Sequence, residues 1–171
     1  VYGKTKLNGE LAIQASGCKH IILRTSWVFS EYGNNFLKTM LRLAKERDEL
    51  SVVGDQVGCP TYAQDIAKTV AEILSQLFLK GDINGVYHYC GNHTCSWYEF
   101  SKFIFDVAKK HGLSCPDKIH QIKSKDYRTL AARPKYSLLD CSKIESRFRL
   151  TLGDFRDGIE STLNGLNHHD K

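Results

Sequence analysis

Residues 20–29 constrain the fold more than any other stretch of this chain. Ile21, Ile22 and Leu23 form an unbroken apolar run. A strand without polar alternation is buried on both faces, as in a parallel sheet covered by helices. The flanks agree with that reading. Residues 6–15 carry Leu7, Leu11 and Ala15 at helical spacing and stop at Ser16-Gly17. Residues 35–47 place Phe36, Leu37, Met40, Leu41 and Ala44 on one helical side. Helix, buried strand and helix in succession predict an α/β protein.

The remainder keeps the alternation. Leu50 to Val53 reads as a short strand, 54–60 as turns, and 61–78 as a long helix with Ile66, Val70, Ile73, Leu74 and Leu77 along one side. Thr61 followed by Gln64, and Ser96 followed by Glu99, have the form of capping boxes. Val86 to Cys90 is expected as a strand after the Asn84-Gly85 turn, and 96–111, 142–147 and 154–166 as helices. Residues 119–139 show little periodicity, and Arg133-Pro134 favours extended backbone there. Only about three good strands are legible, where an open doubly wound sheet commonly has roughly five or more.

Composition narrows the partners. The net charge of +5 is dispersed, as in Lys45-Glu46-Arg47-Asp48-Glu49, whereas a nucleic-acid binder concentrates its basic residues. A small anionic ligand held by one or two arginines fits better. No apolar run is long enough for a bilayer and no signal peptide is recognisable, so no membrane partner and a cytoplasmic location are expected. The cysteines at 18, 59, 90, 95, 115 and 141 include no C-x-x-C pair and no zinc spacing. They read as reduced structural thiols, with Cys18 and Cys115 in turn-like contexts.

The chemistry-bearing pattern is Tyr2-x-x-x-Lys6. Helical positions four apart lie about 40° apart around the axis, so the two side chains share a face. A phenol, with a resting pKa near ~10, is a poor acid at neutral pH. A neighbouring ammonium favours the phenolate and makes the phenol a better proton donor. Such a pair suits protonation of an oxygen while hydride reaches the adjacent carbonyl carbon.

Longer motifs surround that pair. The run Tyr2-Gly3-Lys4-Thr5-Lys6-Leu7-x-Gly9-Glu10 resembles the active-site helix of extended short-chain dehydrogenase/reductases. Leu23-Arg24-Thr25-Ser26-Trp27-Val28, Gly33-Asn34-Asn35-Phe36, Lys38-Thr39-Met40-Leu41, Asp55-Gln56-x-Gly58-x-Pro60-Thr61 and Ala132-Arg133-Pro134 resemble one branch of them, the dTDP-4-dehydrorhamnose reductases. The resemblance runs from Val1 to about Lys143.

It implies reduction of the 4-keto group of dTDP-4-dehydro-L-rhamnose to dTDP-L-rhamnose with NADPH or NADH. Tyr2 would be the proton donor and Lys6 would hold the nicotinamide ribose. Thr25 and Ser26 would approach the nicotinamide end, Trp27 would pack on the sugar, and Asn35 and Arg133 are candidates for the diphosphate. Arginine suits that role because its planar fork donates two bonds to phosphate oxygens. Trp27 as plain core packing and Arg133 as a surface ion pair stay open beside these roles.

The expected fold is an incomplete Rossmann-type, doubly wound parallel sheet lacking its first strands, with a small α/β substrate-binding subdomain. Residues 1–33 and 61–95 would belong to the nucleotide-binding part and 34–60 and 96–171 to the subdomain. No glycine-rich dinucleotide fingerprint occurs in the chain. The family's Ser/Thr catalytic partner would also lie upstream, so the chain reads as the carboxy-terminal portion of a longer enzyme, inactive alone. Some members bridge subunits with magnesium through a carboxylate at the position of Gln64. The neutral amide here removes that ligand, so no metal is expected, while a homodimer is allowed. Two alternatives share the resemblance: a non-catalytic relative like the regulatory subunit of methionine adenosyltransferase, and another nucleotide-sugar epimerase or dehydratase.

Overall fold

The computed structural model describes residues 1–77, 84–127, 129, 131 and 133–169, the last three by backbone alone. Helix α1 spans Tyr2–Ala15. Ser16 closes it and Gly17, at φ +70°, takes the left-handed conformation that glycine reaches without Cβ strain. Strand β1, Ile21–Arg24, follows. The expected strand over 20–29 is in fact two. The chain breaks at Thr25-Ser26-Trp27, where Trp27 has φ +50°, and resumes as β2, Val28–Phe29.

Asn35 caps α2, Phe36–Glu46, which buries Leu37, Met40 and Ala44. Strands β3 (Glu49–Val53), β4 (Val57–Gly58) and β5 (Thr61–Tyr62) lead into α3, Ala63–Gln76. The expected capping box at Thr61 and Gln64 does not form. Thr61 is consumed by pairing with Val28, and its hydroxyl donates to the Cys59 carbonyl at 3.3 Å. Tyr62 stands at the cap position without a side-chain bond. Phe78, the expected end of that helix, lies outside the described residues, as does Ala132.

The second half contains β6 (Gly85–His88), β7 (Cys95–Ser96), α4 (Trp97–Lys110), β8 (Lys118–Ile122), α5 (Ser142–Phe148) and α6 (Phe155–His169). Here the capping box is real. Ser96 Oγ accepts from Glu99 N at 3.1 Å, and the Glu99 carboxylate accepts from Ser96 N at 2.7 Å.

Among the described residues the strands form four pairs: β1–β6, β2–β5 and β3–β8 parallel, and β4–β7 antiparallel. Ile21 faces Gly85 and Arg24 faces His88, with α3 in the crossover between the two strands. Strand β8 sits in the stretch that lacked periodicity.

Two apolar clusters hold these layers. One joins Phe29, Leu37, Met40, Leu50, Phe100, Ile104, Phe155, Ile159 and Leu163, drawn from β2, α2, β3, α4 and α6. The other joins Ile73, Tyr87, Tyr89, Ile144 and Phe148, so α5 packs with α3 and β6. Helix α1 contributes no buried residue to either.

Candidate active site

The short link from α1 to β1 turns the chain back on itself, and the Arg24 guanidinium grips Glu10 with Nε–Oε1 2.8 Å and Nη2–Oε2 2.5 Å. That hydrogen-bonded pair holds the Glu10 carboxyl below its ordinary range. Arg24 ends β1, so the amino end of α1 projects past the carboxyl edge of the strand, with Tyr2 about 12 Å beyond Glu10 at 1.5 Å per residue. Crevices at the carboxyl edge of parallel strands are where α/β sheets bind ligands. Lys6 Nζ stands 5.6 Å from the centroid of the Tyr2 ring, which is 76% exposed. The structure therefore brings these two residues together on one open face.

The break after β1 supplies the next group. Thr25 is exposed. Ser26 Oγ is buried and has no hydrogen-bond partner among the described residues, an unusual state for a hydroxyl. Trp27 holds a backbone conformation that bulky residues avoid. Its carbonyl accepts from Thr61 N at 3.1 Å, which ties the break to β5.

The Trp27 indole is covered on both faces. A Cβ on Gly58 would stand 2.5 Å from Trp27 Cε2 and 2.7 Å from Cζ2 and Nε1, a position over the ring and not beside it. Trp97 stacks on Trp27 with centroids 3.4 Å apart and planes 5° apart. A ring lying so squarely on one face leaves no room there for Gly58, so the two neighbours take opposite faces. Phe36 backs Trp97 at 4.5 Å.

The segment 55–61 is thus chiefly an organiser. Asp55 Oδ1 accepts from Ser124 Oγ at 2.6 Å and Ser124 N at 2.7 Å, and these bonds, the hydroxyl's first, keep its carboxyl below the usual range. Gln56 Nε2 donates to Ser124 Oγ at 2.9 Å.

Asn35 and Arg133 are not brought to Tyr2 by any contact among the described residues. The Asn35 amide accepts from Lys38 N at 3.1 Å as helix cap and donates to Ser30 O at 2.7 Å. Its second N–H makes only a long contact, to Tyr32 O at 3.4 Å. Arg133 is exposed and has no ion-pair partner among the described residues. The chain just after it docks beside β4, through Val57 N to Lys135 O at 2.8 Å and Ser137 N to Val57 O at 2.9 Å.

Trp97 and the close approach of Gly58 were not read from the sequence as parts of the site. Gly58 stood inside a motif, but only coordinates show what approaches it. Trp97 directly follows the Ser96 cap with no signal beyond its aromaticity.

Buried Cys90 and Cys95 are disfavoured as thiolates. The Cys90 and Cys141 sulfurs lie 3.6 Å apart. The Cys141 bond pulls Cys90 down, but its contact with Cys59 and burial prevail and raise it to about 11. Burial pushes Cys95 up to about 12. Among the described residues no cluster of three or more His, Cys, Asp or Glu is arranged to hold a metal ion.

A parallel β-α-β core with a helix in the crossover is the Rossmann-type arrangement. The family model described as "RmlD substrate binding domain" matches residues 1–168, and the chain belongs to that family. It is 43% identical over 167 residues to the dTDP-4-dehydrorhamnose reductase of Escherichia coli K12, covering 97% of this chain and 56% of that protein. With the enzyme of the same name from Aggregatibacter actinomycetemcomitans it shares 46% over 164 residues, covering 94% and 55%. It superimposes with TM-score 0.85 and 35% identity on the Bacillus anthracis dTDP-4-dehydrorhamnose reductase solved in complex with NADP, covering 96% of this chain and 55% of that one. The chain spans about half the length of the relatives it matches.

Proposed function

We propose that this chain forms the carboxy-terminal part of an NAD(P)H-dependent reductase acting on the 4-keto group of dTDP-4-dehydro-L-rhamnose. The observation that carries the reading is the Tyr2–Lys6 pair on one open face beyond the carboxyl edge of β1. Bound reduced nicotinamide supplies hydride to the carbonyl carbon. The Tyr2 hydroxyl gives its proton to the ketone oxygen, so that C=O becomes CH–OH, and Lys6 stabilises the resulting phenolate. Lys6 also holds the nicotinamide ribose. The unpartnered Ser26 hydroxyl suits a polar group at the nicotinamide end, with Thr25 beside it. Trp27 contacts the sugar, and Arg133 and Asn35 serve the diphosphate, Asn35 also shaping the 30–35 loop.

Residues 1–33 and 61–95 are assigned to the nucleotide-binding part, and 34–60 and 96–171 to the substrate part, with α5 reaching back to the former. Strand β1 has a free edge among the described residues, and Leu7 and Leu11 of α1 lie bare at 48% and 51% exposure. Both suit further strands of the same parallel sheet, which would also bring the pyrophosphate cradle this chain lacks. Among the described residues no helix is long and apolar enough to cross a membrane. Six free thiols suit a reducing, cytoplasmic setting.

The test joins this chain to a complete nucleotide-binding half and compares Tyr2→Phe with the parent. Turnover of the ketosugar is expected to fall by roughly a hundredfold or more, with NADPH affinity and melting temperature kept. Full turnover in that variant removes Tyr2 from the chemistry. Calorimetry on this chain alone is expected to show weak or no NADPH binding, and tight binding there contradicts the proposed division of labour.

A further inference from the structure

We propose that Trp97 is a positioning residue for sugar recognition. Stacked on Trp27 with Gly58 against the far face, it turns the Trp27 indole edge-on, so that a sugar meets the ring's rim and its N–H instead of its face. The inference rests on the reading of Trp27 as a sugar contact and adds how that contact is made.

Three observations support it. The stack is close and parallel over one face of Trp27, and Gly58 lies against the Cε2, Cζ2 and Nε1 corner of the other, so a sugar ring has little flat surface to stack on. The indole N–H groups of Trp27 and Trp97 have no hydrogen-bond partner among the described residues and neither is a buried orphan, so each is free to donate to a ligand. Trp27 also sits at φ +50°, a strained state that persists only where the surroundings over-determine it. The Thr61 N–H on its carbonyl and the indole of Trp97 are those surroundings. A rim N–H is a directional donor and can select an acceptor oxygen on a sugar, which a ring face cannot do.

The chain has only these two tryptophans, so their stacking has its own signature, an exciton couplet in the far-ultraviolet circular dichroism. Calorimetric titration with dTDP and with dTDP-L-rhamnose isolates the sugar's contribution as the ratio of the two affinities. The parent chain is expected to show the couplet and to prefer dTDP-L-rhamnose. Trp97→Ala should lower that preference roughly fivefold with dTDP affinity unchanged, and Trp97→Phe, which keeps a stacking ring, should restore most of it. No couplet in the parent overturns the stack. Preference lost in Trp27→Ala but kept in Trp97→Ala overturns the positioning role alone. No preference in the parent, or preference kept in Trp27→Ala, removes the sugar contact itself, and the positioning role falls with it.

Discussion

Gly58→Ala tests the packing around Trp27 with a single methyl group. The new Cβ would lie 2.5 Å from Cε2 of the indole, about 1 Å inside an ordinary carbon–carbon contact of ~3.5 Å. Retreat of the indole is resisted by Trp97, stacked 3.4 Å from it and itself in contact with Phe36. Gly58 is paired with Cys95 in β4–β7, which also resists a backbone shift. Its φ is outside the left-handed region, so alanine adds no backbone strain and the effect comes from contact alone. Overpacking of this kind costs about 1–3 kcal/mol, and the stiffer unfolded chain returns roughly 0.4–1 kcal/mol, leaving a net loss of roughly 0–2.6 kcal/mol with a central value of about 1.3 kcal/mol. For a domain of this size the central value lowers the melting temperature by roughly 3–5 °C. Thermal denaturation followed by circular dichroism measures it, and the tryptophan couplet should weaken in the same sample. An unchanged midpoint with an unchanged couplet would refute the two-sided enclosure of Trp27.

Three further outcomes are expected. Ser96→Ala removes the acceptor of Glu99 N, and the lost cap should cost about 1 kcal/mol in urea denaturation. The capped Glu99 carboxyl sits below the ordinary glutamate value of 4.5, held there chiefly by the Ser96 N–H. Its stabilising contribution is therefore complete above that value and lost as pH falls through the lower folded value; a Ser96→Ala penalty that grew on acidification would contradict this sign. A thiol reagent should label exposed Cys18 at once and Cys115 more slowly, leaving Cys59, Cys90, Cys95 and Cys141 until unfolding; prompt labelling of Cys141 would contradict its 5% exposure. Amide hydrogen exchange should be much faster along α1, which buries nothing, than along α4, and equal protection of the two helices in this chain alone would show that α1 is held by more than Glu10 and Arg24.

Legibility followed the length of each element. Helices α2 and α4 repeat their apolar positions over three turns, and that periodicity survives any tertiary context. Strands β2, β4, β5 and β7 are two residues long, too short to carry a period, so nothing local announced them. The Thr61–Gln64 pattern failed for the same reason. A capping box and a strand residue compete for one backbone, and the partner that decided the contest, Val28, lies far away in sequence. At Ser96 the local and distant demands coincide: its neighbour Cys95 pairs with Gly58 while its own side chain caps α4. Strand β8 escaped notice because most of its residues are exposed, and its identity comes from pairing with β3.

The candidate site divides along the same line. Tyr2 and Lys6 are neighbours because one helix makes them so, and a spacing of four residues is enough to say it. Trp27, Gly58 and Trp97 are neighbours because three separate segments converge, and each residue alone looks like ordinary packing. Their arrangement changes what the site can do. A lone tryptophan beside a strand end suggests an aromatic platform, whereas one enclosed by a glycine and a second indole offers only its edge. The tyrosine–lysine pair is therefore carried by local pattern in this chain, while the packing around Trp27 is carried by contacts no local pattern encodes. Relatives that keep Tyr-x-x-x-Lys but place a side chain at the position of Gly58 should retain reductive chemistry and recognise a different sugar, and a survey of such enzymes against a panel of nucleotide sugars that found no change in preference would separate the two properties differently.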